Sequence, residues 1–195
     1  LIYDSPITGN KSKFTYDELR SQVATFAGAL KTQGINKGDR VIIYMPMIPE
    51  AVIAMLGCAR IGAIHSVVFG GFASNELASR IDDSKAKLLV TASCGFEPGR
   101  TVEYKPLVDE AIKIANHKIE KMILFQRQGH EVKLKAPIEV SWDEVVTDAK
   151  SADCVEMKSN EFAYILYTSG TTGTPKGIVR DIGGHIVALK WTMKN

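Results

Sequence analysis

The chain has 195 residues, of which 45% are hydrophobic and 24% are charged. This balance excludes intrinsic disorder and supplies enough apolar side chains for the core of a folded domain. The 24 lysine and arginine residues nearly cancel the 22 acidic ones, so the net charge of +2 predicts neither a nucleic-acid partner nor an anionic membrane surface. Cys58, Cys94 and Cys154 have neither disulfide nor metal spacing, which predicts a reducing compartment and no thiolate metal site.

The two ends of the sequence suggest that it is part of a longer protein. The first residue is Leu1 rather than methionine, and no basic segment followed by an apolar run marks a signal peptide. The last residue, Asn195, falls within a helical pattern. We therefore expect a fragment.

One apolar stretch, residues 41–59, approaches the length of a bilayer span and carries a single charge, Glu50. Pro46 and Pro49 would break the hydrogen bonds of a membrane helix, and a carboxylate near its middle would cost about 3 kcal/mol in lipid. We therefore expect no membrane insertion. The pattern instead predicts a buried strand at Arg40–Met45, a turn at Pro46 and a helix that begins near Pro49.

The rest of the chain alternates between helix and strand patterns. A capping-box motif, Thr15-Tyr-Asp-Glu18, predicts a helix that stops at Gly34. Further strands are predicted at 63–69, 87–92 and 122–125, and further helices at 74–84, 106–115 and 141–149. Alternating polar and apolar residues over 126–137 predict a half-exposed edge strand or hairpin. This order predicts an α/β fold with a mainly parallel sheet covered by helices on both faces.

The most informative segment is a loop of small, hydroxylated residues, Thr168-Ser-Gly-Thr-Thr-Gly-Thr-Pro-Lys-Gly177. Its glycines let backbone N–H groups converge on an anion, its hydroxyls add donors, and Lys176 supplies a positive charge for a polyphosphate. The composition would also fit a flexible surface linker. However, a linker seldom follows an apolar run such as residues 164–167, which has the pattern of a buried strand. We therefore predict a phosphate-binding loop.

This loop matches neither of two common nucleotide-binding motifs. In a Walker loop the lysine stands between glycine and serine or threonine, whereas Lys176 lies between Pro175 and Gly177. The glycine spacing of a dinucleotide-binding fold is also absent here. The residues alone therefore predict polyphosphate binding without defining the reaction.

Residues 167–177 resemble the phosphate-loop signature of the adenylate-forming, AMP-binding superfamily, which includes acyl-CoA synthetases, luciferases and peptide-synthetase adenylation domains. Over nearly the whole chain the sequence is similar to the short-chain branch, the acetyl-CoA and propionyl-CoA synthetases. The matching segments are Met45-Pro-Met-Ile-Pro-Glu50, Cys58-Ala-Arg-Ile-Gly-Ala-Ile-His-Ser66, Phe69-Gly-Gly-Phe72 and Glu97-Pro-Gly-Arg100. After the loop, Val179-Arg-Asp-Ile-Gly-Gly-His185 resembles the propionyl-CoA type more than the acetyl-CoA type, which usually has His-Thr-Thr-Gly-Gly there.

The resemblance implies a two-step ligase. A short carboxylate, propionate or acetate, attacks the α-phosphorus of ATP to give an acyl-adenylate and pyrophosphate. The thiol of coenzyme A then displaces AMP and forms a thioester. Mg²⁺ is implied as the companion of ATP, with no ligand assigned to it here. The location expected from the reducing compartment is the cytoplasm or, alternatively, the mitochondrial matrix.

The resemblance also implies which residues hold the two nucleotides. The ATP phosphates are assigned to Thr168, Ser169, Gly170, Thr171, Thr172, Gly173 and Lys176. Lys176 is the catalytic residue, because its charge would stabilise the departing pyrophosphate. Coenzyme A is assigned to Phe69, Gly70 and Gly71 along its adenine end, and to Glu97, Pro98, Gly99 and Arg100, where Arg100 could pair with a phosphate. From the residues alone, both glycine-containing segments would be interpreted as ordinary turns.

Three other residues receive simpler interpretations. His65 is interpreted as a satisfied strand histidine rather than a base. Cys94 is interpreted as a small buried side chain, and His185 has no assigned role.

In this superfamily the adenine, ribose and acyl-binding residues and the lysine of a mobile C-terminal domain come later in the sequence. We therefore expect residues 1–195 to form a partial N-terminal AMP-binding domain, with the C-terminal domain absent, exposed apolar surface and no activity by itself. Two alternatives stay open. One is an adenylate-forming enzyme that loads a carrier protein, and the other is a non-catalytic nucleotide-binding or interaction module.

Overall fold

The computed structural model describes residues 1–168 and 175–195, which form an α/β structure around one large sheet. Its helices are α1 (Tyr16–Thr32), α2 (Pro49–Arg60), α3 (Ser74–Ser84), α4 (Tyr104–Ile114), α5 (Trp142–Thr147) and α6 (Ile182–Lys194). Its strands are β1 (Ile2–Asp4), β2 (Lys11–Lys13), β3 (Arg40–Met45), β4 (Ile64–Phe69), β5 (Leu88–Ala92), β6 (Cys94–Glu97), β7 (Arg100–Glu103), β8 (Lys121–Phe125), β9 (Glu139–Ser141), β10 (Phe162–Thr168) and β11 (Lys176–Asp181).

The large sheet has seven strands in the spatial order β11-β10-β4-β3-β5-β8-β9. Every neighbouring pair in it is parallel except β10 and β11, which are antiparallel. Two separate antiparallel hairpins, β1-β2 and β6-β7, complete the strands. The predicted α/β class with a mainly parallel sheet is confirmed.

The central strands β3, β5 and β8 are buried on both faces, which explains their continuous apolar sequences. Residues 41–45 therefore form a core strand, and α2 begins at Pro49 after the predicted turn. In the described part of the chain, no helix is both long and apolar enough to cross a membrane. On one side of the sheet, the ring of Phe26 in α1 stacks on Trp142 of α5 at a centroid distance of 4.0 Å.

The start of α1 confirms the capping-box prediction. The Thr15 hydroxyl accepts a hydrogen bond from the backbone N–H of Glu18 at 3.2 Å, and the Glu18 carboxylate accepts one from the Thr15 N–H at 2.7 Å. These bonds satisfy backbone donors that the first helical turn leaves unpaired. They also lower the pKa of Glu18. At the other end the helix stops at Thr32, and Gly34 takes a positive φ of 86°.

Most predicted boundaries differ from the structure by one residue at most, but two helix boundaries differ by two residues. Helix α4 begins at Tyr104 rather than at Pro106, because the N–H groups of the first helical turn have no partner within the helix and a proline is tolerated there. The helix predicted at 141–149 ends at Thr147.

The prediction of an edge strand or hairpin over 126–137 is wrong. Apart from one isolated bridge between Arg127 and His130, no strand forms there, and the edge strand beside β8 is β9. The side-chain amide of Gln126 replaces a strand partner, because it donates to the Val132 carbonyl at 2.8 Å and accepts from the Val132 N–H at 3.0 Å. Val132 still packs partly against the core, so the apolar alternation reflects burial without a strand.

Helices leave the β10-β11 end of the sheet exposed, which agrees with the expectation of exposed apolar surface. Helix α6 buries none of its side chains among the described residues, and Trp191 is 69% exposed. Strand β10 forms where residues 164–167 predicted it, but Leu166 is 48% exposed. This end of the structure therefore presents an apolar surface to solvent.

We predict that Gly28→Ala in α1 destabilises the protein by about 2 kcal/mol. A Cβ at this position would overlap the carbonyl oxygen of Lys150, which belongs to a backbone segment that crosses the helix. This clash outweighs the gain of about 1 kcal/mol that alanine normally brings to a helix. Urea unfolding checks the prediction, and a stabilised variant would contradict it.

The matched control is Gly57→Ala in α2. The new Cβ would lie 2.9 Å from a ring carbon of Phe26 and 3.5 Å from the nearest backbone atom, so the overlap is smaller than at Gly28. We expect a smaller loss of stability for this variant.

Candidate functional site

The candidate site lies where β3, β4 and β10 end. Strand β4 pairs in parallel with β3, where Met45 lies opposite Phe69, and with β10, where Tyr164 lies opposite His65. The segments that follow these three strands therefore leave the sheet at the same edge. In open α/β sheets this carboxyl edge is where ligands bind.

The turn after β4 is held by a buried tyrosine hydroxyl. Tyr44 of β3 accepts a hydrogen bond from the Gly71 N–H at 3.0 Å and donates one to the Phe72 carbonyl at 2.8 Å. Burial raises the pKa of Tyr44 to about 12, so the hydroxyl stays protonated and can make both bonds at neutral pH. Gly71 has a φ of 96°, which only glycine adopts without strain.

A second tyrosine hydroxyl lies between two glycines. A Cβ on Gly70 would come within 2.5 Å of the Tyr104 hydroxyl and 2.8 Å of the Met45 carbonyl oxygen. A Cβ on Gly95 would also overlap the Tyr104 hydroxyl. The missing side chains thus let Tyr104 fit between the β4 turn and the β6-β7 hairpin.

The tip of that hairpin contains the second segment predicted to bind coenzyme A. Glu97 and Arg100 are cross-strand partners, and Pro98 and Gly99 form the turn between them, with a φ of 75° at Gly99. Arg100 donates from Nε and Nη2 to one oxygen of the Glu97 carboxylate, at 2.7 and 2.6 Å. The interpretation of this segment as a turn is confirmed. The ion pair holds the exposed Arg100 at the hairpin tip.

The structure brings the two segments together. Phe69, Gly70 and Glu97 line one cleft of about 370 Å³, whose walls also include Tyr104 and Arg127. A Cβ on Gly71 would lie 3.9 Å from the Glu97 carboxylate, so this glycine also faces the hairpin. The cleft is mostly apolar and has the size of a small-molecule site.

The ends of the predicted phosphate loop lie at the same edge of the sheet. Thr168, the last residue of β10, pairs with Lys176, the first residue of β11, and both side chains are exposed. Ser169, Gly170, Thr171, Thr172 and Gly173 lie outside the described residues. The sequence analysis did not predict β11, although its Ile178-Val179 pair is typical of a strand.

Helix α3 anchors β10 just before this loop. The Tyr167 hydroxyl donates to the Asp83 carboxylate at 2.6 Å, and the guanidinium of Arg80 lies 5.3 Å from the Tyr167 ring centroid. Burial and the adjacent Asp83 carboxylate both raise the pKa of Tyr167. The same guanidinium lies 5.4 Å from the ring of Phe72, so Arg80 connects the β10 and β4 ends.

The sequence analysis missed these supporting residues, which are Tyr44, Tyr104, Arg80 and Asp83. One signal was available for Tyr44. A tyrosine inside an apolar core strand must find a partner for its buried hydroxyl. The other contacts depend on how distant segments approach each other, and no local pattern indicates them.

The interpretation of His65 as a satisfied strand histidine is wrong. Its ring stacks on Tyr164 at 5.6 Å, and Tyr164 meets His185 edge-on at 5.0 Å. The His65 Nδ1 atom is buried and has no hydrogen-bond partner in the described part of the chain. Burial, with a smaller contribution from His185, lowers the pKa of His65 to about 4, so the ring is neutral at pH 7. The interpretation of Cys94 as a buried side chain is confirmed.

No group of three or more histidine, cysteine, aspartate or glutamate side chains within residues 1–168 and 175–195 could hold a metal ion.

Comparison with known proteins identifies the class of protein. The family described as AMP-binding enzyme matches residues 2–194. The chain therefore belongs to this family.

Two curated relatives and one solved structure show which members of the family the chain is similar to. The chain is 56% identical, over 196 residues, to acyl-CoA synthetase short-chain family member 3, mitochondrial, of Homo sapiens. The aligned region covers 100% of this chain and 29% of that protein. It is 44% identical to acetyl-coenzyme A synthetase of Shewanella frigidimarina, over 98% of this chain and 30% of that one. Acetoacetyl-CoA synthetase from Streptomyces lividans has a similar structure, with a TM-score of 0.83 and 27% identity over 95% of this chain and 29% of its own length. The chain thus spans less than a third of the length of these proteins.

We predict that the chain loses stability as the pH falls from about 6.5 to about 4. Over this range the unfolded state binds a proton at His65, whereas the folded state keeps the ring neutral. The full loss is of order 3 kcal/mol and is reached below the folded pKa. Urea unfolding at pH 7.5, 5.5 and 4.5 measures how the free energy of unfolding decreases as this loss begins.

His65→Gln should flatten this pH dependence, because the group that titrates is removed. His130→Gln, in the turn after β8, is the matched control. If both variants kept the slope of the wild type, His65 would not be its source.

Proposed function

We propose that this chain is part of an ATP-dependent acid–thiol ligase that activates a short-chain carboxylate as an acyl-adenylate and transfers the acyl group to coenzyme A. One observation carries the proposal. Phe69 and Gly70 of one predicted coenzyme A segment and Glu97 of the other line one cleft at the carboxyl edge of the sheet, where Thr168 and Lys176 at the ends of the phosphate loop also lie. The names of the relatives support the same reaction.

In the first step a carboxylate oxygen attacks the α-phosphorus of ATP, and the bond to the β-phosphate oxygen breaks. Negative charge gathers on the departing pyrophosphate. Lys176 begins β11, and its antiparallel partner Thr168 ends β10, so the two strands fix both ends of the loop. We expect Lys176 and the donors of Thr168 to Gly173 to stabilise this charge more in the transition state than in the ground state.

In the second step the thiol of coenzyme A attacks the acyl carbon, and AMP leaves with the bonding electrons. The nucleotide end of coenzyme A would occupy the cleft beside Phe69 and Gly70, with Arg100 at its rim. The Glu97 carboxylate would orient the Arg100 guanidinium toward a phosphate. Mg²⁺ would enter with ATP and neutralise phosphate charge.

The proposed acid is propionate, with acetate as the second candidate, because Val179–His185 resembles the propionyl-CoA type. The proposed location is a reducing compartment. Two relatives, from Homo sapiens and Dictyostelium discoideum, carry the word mitochondrial in their names, which supports the mitochondrial alternative rather than the cytoplasm. We propose that residues 1–195 form only part of an N-terminal AMP-binding domain and do not turn over without the rest of the protein. Rates with acetate, propionate and butyrate, measured on the full-length protein, test the substrate.

Two other functions stay as alternatives. An adenylate-forming enzyme that loads a carrier protein would share the loop but would have no use for a coenzyme A cleft. A non-catalytic nucleotide-binding or interaction module would bind ATP without exchanging pyrophosphate. An interaction module would use the exposed apolar surface of α6 to bind a partner, whereas a partial ligase domain would expose the same surface for lack of the rest of the protein.

We predict that Lys176→Gln in the full-length protein lowers the rate of carboxylate-dependent ATP–pyrophosphate exchange by about 100- to 1,000-fold. Removal of the charge takes away stabilisation of the departing pyrophosphate. Lys190→Gln, on the exposed surface of α6, is the matched control and should keep the wild-type rate. An unchanged rate in Lys176→Gln would contradict the assigned role.

We predict that Arg100→Ala raises the KM for coenzyme A about tenfold and leaves the KM for ATP unchanged, because one charge-assisted hydrogen bond to phosphate is lost. Steady-state kinetics of the full-length protein measure both constants. Glu97→Gln should have a smaller effect, because it loosens the guanidinium without removing it. An unchanged KM for coenzyme A in Arg100→Ala would favour the carrier-protein alternative.

A further inference from the structure

Arg127 is a buried cation in the wall of the cleft. It lies just after β8 and is only 8% exposed. Its backbone is fixed, because its N–H donates to the Ser93 hydroxyl at 2.8 Å and its carbonyl accepts from the His130 N–H at 2.9 Å. These two hydrogen bonds fix the backbone from which the Arg127 side chain extends into the cleft wall.

The guanidinium of Arg127 packs on an aromatic ring rather than on an acid. Its central carbon lies 4.7 Å from the ring centroid of Phe96, a cation–π distance. Among residues 1–168 and 175–195, no carboxylate oxygen lies within 4.0 Å of its nitrogens. A buried positive charge without a bound anion is costly, so this position favours an anion from outside the chain.

The acidic residues of the cleft are already paired with other cations. Asp4 binds Lys11 at 2.9 Å, and Glu97 binds Arg100 at 2.6 Å. Each acid therefore has its own counter-charge, which leaves Arg127 as the cation of this cleft wall that can accept a ligand.

Glu50, at the start of α2, is a further carboxylate whose pKa the charge of Arg127 affects. The guanidinium lowers the pKa of Glu50, while burial, the larger effect, raises it. The two groups form no ion pair within 4.0 Å. Glu50 balances part of the charge from a distance and does not occupy the donors of the guanidinium.

We propose that Arg127 binds a phosphate group of coenzyme A in this cleft. The planar guanidinium offers parallel N–H donors that fit a phosphate, and the Phe96 ring holds its plane. Coenzyme A is favoured over ATP because Phe69, Gly70 and Glu97 line this cleft, whereas Thr168 and Lys176 do not. The inference rests on the proposed function, and it adds a specificity residue outside the segments that the sequence singled out.

The test compares Arg127→Gln, Arg127→Lys and wild type in the full-length protein by isothermal titration calorimetry with coenzyme A and, separately, with ATP. We expect Arg127→Gln to weaken coenzyme A binding about tenfold or more, and Arg127→Lys to weaken it less, because lysine keeps the charge but loses the fork. Affinity for ATP should not change. Arg20→Gln, on the exposed face of α1, is the matched control and should bind both ligands as wild type does.

Four other results would overturn the inference. Unchanged affinity of Arg127→Gln for coenzyme A would remove Arg127 from the site while the ligase function stands. Weakened ATP binding with unchanged coenzyme A binding would place the phosphate of ATP there instead. Equal loss for both ligands, with a lowered unfolding temperature, would show a structural role. No binding of coenzyme A by the wild type would reject the proposed function together with the inference.

Discussion

The parallel pairing of β4 with both β3 and β10 is the constraint on which the candidate site depends. Parallel strands run in one direction, so the segments that follow them must leave the sheet at the same edge. The turn at Gly70-Gly71 and Thr168 at the end of β10 therefore lie at the same edge although about a hundred residues separate them. An antiparallel β4 would place them at opposite edges, and no local motif could restore the site.

Three tyrosine side chains, of which Tyr44 and Tyr104 are buried and Tyr167 is partly exposed, then connect these segments. Tyr44 binds the backbone of the β4 turn, and Tyr167 ties β10 to Asp83 of α3. Tyr104 fits between Gly70 and Gly95, where any side chain would collide with it. The buried hydroxyl of Tyr44 would cost about 1–3 kcal/mol if it lost its partners, so its two hydrogen bonds favour one geometry of the β4 turn. The cleft is thus held by core residues rather than by its own surface.

The sequence predicted those parts of the fold that local chemistry controls. Continuous apolar runs predicted β3 and β5, and the capping box at Thr15 predicted the start of α1. Both patterns depend only on residues that are close together in the sequence. The segment 126–137 was mistaken for a strand because burial alternates there while the Gln126 side chain takes the hydrogen bonds that a strand would make. Strand β11 had one local signal, its Ile178-Val179 pair, whereas the exposure of α6 depends on long-range packing, which no local pattern reports.

The candidate site was predictable to a different extent. Residue types alone indicated a polyphosphate loop ending in Lys176, and only the resemblance to a family added the two coenzyme A segments. That Phe69 and Glu97 share a cleft follows from the sheet topology, which the sequence predicted only as a class. Arg127 belongs to no motif. Its importance arises from burial against Phe96 and from the pairing of the neighbouring acids, which are properties of the folded chain.

The most direct measurement is a crystal structure of the full-length protein with ATP and coenzyme A bound. The account predicts the ATP phosphates within hydrogen-bond distance of Lys176 and the loop after Thr168. It predicts the nucleotide of coenzyme A in the cleft between Phe69 and Glu97. Either nucleotide bound away from the edge where β3, β4 and β10 end would contradict it.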